Sequence, residues 1–232
     1  MIRNFDEPPI QDDRRIRRFA AGSIGGGALL ALLMVLHHPT LDRSSIHDAA
    51  QTADAIARLA SVDRLVHGLL MLLYGLQMVG FFYLAQRLRF DRPIVVTGFV
   101  AFAAGMFLTL IPATLDGFVT ADLPALCRTA CAGTDLPGIA VISIAIQDFT
   151  RIGLVAFAIS SLSWGVALIS ASGWLPRLVG AIGVAAGAIS IGLIVIAGIV
   201  LTPATLALIV LSQLVWNLGA AAWLVADAPR GA

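Results

Sequence analysis

Six stretches of this chain run for about 20 mostly apolar residues each, and no Asp, Glu, Lys or Arg falls in the central part of any of them. In a hydrocarbon layer the backbone must satisfy its own N–H and C=O groups, so a run of that length forms a helix crossing a bilayer about 30 Å thick. The runs lie at Phe19 to Leu36, Val66 to Leu84, Ile94 to Ala113, Ile152 to Ser170, Leu178 to Leu201 and Leu206 to Val225. With 59% hydrophobic and only 12% charged residues, no length remains for a soluble domain. The sequence therefore predicts an all-α membrane protein, a six-transmembrane-helix bundle. Residues 1–18 form an N-terminal arm, 19–226 the membrane domain and 227–232 a short tail. The apolar stretch Gly138 to Gln147 is too short to cross alone and reads as an interfacial or re-entrant segment.

Arginine placement sets the orientation, because positive residues flanking spans are retained on the cytoplasmic side. With both termini inside, ten of the 15 basic residues are cytoplasmic; Arg43, Arg58, Arg64, Arg128 and Arg151 are outside. The first span resembles a signal-peptide core behind a basic region. HHPT follows it in place of a small-residue cleavage site, so it reads as an uncleaved anchor in a bacterial inner (cytoplasmic) membrane. Two long outer connections result, 37–64 and 115–150, the first carrying a helix from Ser44 or Ser45 onward that reads as lying on the membrane surface. A net charge of +1 offers nothing to nucleic acid, and the absence of central carboxylates disfavours an ion-driven transporter.

The second and fourth spans carry Asp63, Gly68, Leu69 and Gly80 at the spacing of Asp148, Gly153, Leu154 and Gly165. GFVAFAAG from Gly98 and GAIGVAAG from Gly180 then echo each other, which suggests a duplicated helical hairpin. The alternative is the high glycine and alanine content of any tightly packed membrane bundle. Small-residue faces on the first helix (Gly22, Gly25, Gly26, Gly27) and on the fifth (Gly180, Gly183, Gly187) suit close packing within the bundle, a homo-oligomer or a membrane-complex partner. Trp174 and Trp223 sit where interface anchors belong.

Chemistry concentrates at the outer boundary. His37 and His38 end the first span and His67 opens the second, while Met34 and Met71 each lie four residues deeper than a histidine on their own helix. Imidazole and thioether together form a soft donor set for copper(I), or for haem, and imidazole alone suits zinc. Asp63, one turn above His67, can accept the second ring proton. Asp116, Asp148 and Arg151 share that boundary, and Asp148 and Arg151, three apart, can pair. The same groups form a satisfied polar cluster at a membrane surface or hold a small ligand. Cys127 and Cys131 in the second outer loop are placed for a disulfide or a pair of thiolate ligands. The deep polar residues Gln77, Ser160, Ser161, Ser163, Ser212, Gln213 and Asn217 read as interhelical hydrogen-bonding groups.

A first span ending in HHPT, a second opening with VHG (66–68), a short arginine-containing inner turn and SLSWG (161–165) in the fourth span resemble uncharacterised six-span bacterial inner-membrane proteins. That resemblance implies a fold and a location and no activity. The chain is also similar to intramembrane metal-dependent hydrolases in carrying His and Asp near one membrane face. In such an enzyme His38, His67, Asp63 or Asp116 would hold zinc. It departs from them in having one span fewer and no serine placed near its histidines on a helix face. An accessory or scaffolding subunit is the third class, with the glycine faces as its only signal.

Overall fold

The computed structural model describes residues 14–37, 49–124, 139–199 and 201–226. Among them the regular elements are all helical, and six helices are long and apolar enough to cross a membrane. The protein is a multi-pass membrane protein. Its helices are α1 (Arg14–Leu36), α2 (Ala49–Arg87), α3 (Pro93–Thr114), α4 (Ile139–Ile169), α5 (Trp174–Ile191) and α6 (Pro203–Ala226). α3 runs on into a wide π turn, Leu115–Thr120, and α5 into another, Gly192–Ile196.

Two expectations are corrected. The helix placed on the membrane surface is the projecting end of α2, which continues without a break for 39 residues. No glycine or proline interrupts the chain from Ala49 to His67, so the helix has no reason to stop where the apolar run begins. Likewise Gly138 to Gln147 is no separate segment. α4 begins at Ile139, directly after Pro137-Gly138, and proceeds for 31 residues through the fourth span. Both helices are longer than a bilayer requires, since 20 residues already cover about 30 Å.

Each helix packs on its neighbours in sequence, and α6 returns to pack on α1, which closes a ring. Short connections enforce this order at one end. Pro93 opens α3 in the first turn, where its missing N–H costs nothing, and Gly173 opens α5 at φ 106°, a conformation that favours glycine.

Packing is uneven along the ring. The principal core joins Ile24, Phe81, Leu84, Val95, Trp164, Leu168, Val179 and Leu224, all toward the end that carries the α2–α3 and α4–α5 turns. Trp164 fixes its centre. It stacks on Phe81 with centroids 5.0 Å apart, and its indole N–H donates to the Val95 carbonyl at 3.2 Å. Trp223, expected as an interface anchor, belongs to this core, whereas Trp174 is exposed.

Glycine sets the closest helix crossings. A Cβ on Gly165 would lie 2.7 Å from the Gly180 carbonyl, and one on Gly180 would lie 2.6 Å from the Gly165 carbonyl, so α4 and α5 touch backbone to backbone. Gly183 and Gly187 continue that contact against the Ser161 and Ala158 carbonyls, and Gly183 also meets Trp216 of α6. The fifth helix's glycine face is thus spent inside the bundle. On α1, Gly25 and Gly27 pack inward, while a Cβ on Gly22 or Gly26 would meet no described residue within 4 Å. The matched glycines of the suggested repeat meet different partners: Gly80 approaches the Ala20 carbonyl on α1, and Gly165 approaches α5.

Candidate functional site

At the end opposite the core the bundle is hollow. A cavity of about 260 Å³ lies between α1, α2, α3, α4 and α6, walled mainly by Val35, Leu70, Tyr74, Pro112, Leu154, Leu206 and Val210. Its charged lining consists of His67 and Asp116. Asp116, Ile146 and Gln147 also line a shallow surface depression with Ser143, Asp148 and Arg151, which puts the mouth between α3 and α4.

His67 is 5% exposed and held from two sides. Its Nδ1 donates to the Asp63 carbonyl one helical turn back at 2.9 Å and lies 3.2 Å from the Asp63 Oδ1. Because a carbonyl oxygen only accepts, Nδ1 carries a proton, and Nε2 is the nitrogen turned to the third group. That group is Asp116, whose Oδ2 stands 3.6 Å from Nε2. The separation exceeds a direct hydrogen bond and is that of an ion pair when the ring is doubly protonated.

The π turn creates this arrangement. In Leu115–Thr120 the backbone widens by one residue per turn, so Asp116 and Gly117 face α2 together. Gly117 is indispensable to it, since a Cβ there would collide with His67 Cβ. The neighbouring ions pair with one another. Arg64 pairs with Asp122, and Arg151 lies 3.6 Å from Asp148 while donating to the Ile199 carbonyl at 3.3 Å. Gln147 ties α4 to the α5–α6 connection, donating to the Leu201 carbonyl at 2.9 Å and accepting from its N–H at 3.3 Å.

The predicted cluster is therefore only partly assembled. Asp63, His67 and Asp116 come together, and Asp148 and Arg151 form the anticipated pair beside them. His37 does not join them: it is exposed and its Nδ1 bonds to the Leu33 carbonyl of its own helix at 2.8 Å. Met34 and Met71 are half-buried and line neither wall of the cavity. His38, Cys127 and Cys131 lie outside the described residues. Among the described residues no group of three or more His, Cys, Asp or Glu side chains is disposed to hold a metal ion. The thioethers that would make the set soft, Met34 and Met71, are not among the groups that line the cavity with the buried imidazole.

Thr109, Gln147 and Gly117 were not singled out by sequence. Thr109 spends its hydroxyl on the Gly105 and Met106 carbonyls, at 2.9 and 3.0 Å, and so gives no outward sign of lining a cavity. Pro112 was the available signal, since a proline inside an apolar span marks a place where backbone bonding is rearranged. No family model, curated protein or solved structure matches this chain, so the reading of the site rests on its geometry.

Proposed function

We propose that the protein is a bacterial inner-membrane protein, with both termini cytoplasmic, that binds a small amphipathic cation in the cavity beside His67. One observation carries this: a buried imidazole between two carboxylates forms the polar wall of an otherwise apolar cavity. Such a pocket orients a ligand by a few polar groups and holds it by apolar area. The sign of the charge follows from counting. Two carboxylates, Asp63 and Asp116, stand against one imidazole at this end of the cavity, so the group closest to the space is acidic in character. Asp148 already answers Arg151. An ammonium group is favoured at the mouth, with its apolar portion against Leu70, Leu154 and Leu206. Arginine bias supports placing this mouth outside the cell.

The test compares hexylamine, hexanol and hexanoate as probes of the purified protein in lipid nanodiscs, read by titration calorimetry. Hexylamine is expected to bind saturably and more tightly than hexanol, with hexanoate weakest. Asp116→Asn should weaken hexylamine at least about tenfold, the scale of a charge-assisted contact. Equal binding of hexanoate and hexylamine would overturn the reading, and so would an unaltered Asp116→Asn variant.

A further inference from the structure

Ten residues along α2 from His67, about 15 Å by helical rise, Gln77 marks a second polar level near the middle of the hydrocarbon layer. A second cavity of about 90 Å³ lies there and shares Tyr74, Leu154 and Val210 with the first. The polar groups around it fall into two sets. The first is closed on itself: the Ser161 hydroxyl donates to Gln213 Oε1 at 2.6 Å, and Gln213 Nε2 donates to Ser190 Oγ at 3.1 Å. These residues bind α4, α5 and α6 together, as interhelical hydrogen bonds are expected to do.

The second set ends on the cavity. Ser160 is 1% exposed and its Oγ has no hydrogen-bond partner among the described residues. Gln77 is 6% exposed, and no hydrogen bond joins its amide to another described side chain or backbone group. Asn217, half-buried on α6, lines the same space. Buried donors are costly to leave unmade, and lipid supplies no water to meet them. The remaining wall is aromatic, with Phe81, Phe102, Phe157, Trp164 and Trp216. Flat walls and donors at the rim match a flat occupant with acceptors on its edge.

We infer that this mid-membrane cavity binds a flat ring bearing carbonyl oxygens, of the chemical class of a lipid-soluble quinone, which Gln77, Ser160 and Asn217 hold by hydrogen bonds. The inference goes beyond the amine site and does not depend on it, because its polar contacts are different residues.

The experiment follows the thermal unfolding midpoint of the nanodisc-embedded protein during titration with decylubiquinone, and with decylbenzene as a tail without carbonyls. Decylubiquinone should raise the midpoint saturably and decylbenzene should not. Ser160→Ala and Gln77→Leu should each weaken the quinone about tenfold, the weight of one buried hydrogen bond, while Gly22→Ala leaves it unchanged. Ser160→Ala removes a single oxygen, so it carries the test if Gln77→Leu fails to fold. A wild type without a saturable response would mean that these donors face water only, and would overturn the inference. Equal response to decylbenzene, or two folded variants that bind as tightly as wild type, would overturn it as well.

Discussion

At the scale of the residue, His67 shows how much of a site is decided by the group next to it. The ring is fixed by Asp63 on its own helix, a relation that the four-residue spacing made legible in the sequence. Asp116, 49 positions away, was legible as sharing its membrane boundary; what was not legible is how close the two come, which depends on Gly117 having no side chain. Gly117→Ala is therefore expected to move the ring away from Asp116, with a loss of about 1–3 kcal/mol from forcing an extra carbon into a filled site. Hexylamine binding should fall together with the unfolding midpoint. An alanine variant with both properties intact would show that the α2–π-turn contact is looser than the geometry indicates. Asp63→Asn, by contrast, keeps an acceptor beside Nδ1 and should preserve the fold.

At the scale of the element, the apolar runs were read correctly in number and approximate position, because length and lack of charge suffice to identify a crossing helix. Where the helices begin was harder to read. Hydropathy drops at Arg64 and at Asp148, yet the backbone continues through both, because helical propensity does not need apolar residues once an amphipathic stretch has support. The hollow between the helices was equally hidden, since its walls are ordinary Leu, Val and Tyr residues. The glycine-bearing crossings were legible as pattern and not as partner. Gly165 and Gly180 oppose each other carbonyl to Cα, so Gly165→Ala and Gly180→Ala should each cost about 1–3 kcal/mol as the helices are pushed apart. Gly22→Ala, where a Cβ would meet no described residue, should be close to neutral or slightly stabilising, because alanine forms helix better than glycine. Denaturant titration in detergent would separate the two cases, and equal losses at Gly22 and Gly180 would contradict the packing described.

At the scale of the whole molecule, the packed end and the hollow end divide the work. Aromatic stacking around Trp164 holds the helices together where the turns are short and walls the small mid-membrane cavity, while the larger cavity lies in the opposite half. The ring order has one more consequence. Five of its six contacts join helices consecutive in the chain, and the sixth, α6 against α1, is made without a connecting loop. With six alternating crossings, Arg14 and Ala226 emerge at the same end on adjacent helices, whose axes pack at about 8–10 Å. Chain order is then a convention of synthesis more than a requirement of the architecture. A circular permutant that joins Ala226 to Arg14 through a short glycine-serine linker and is cut within residues 88–92 should assemble with the same helices in contact. It should retain decylubiquinone binding if the ring, and not the position of its ends, holds the cavity open.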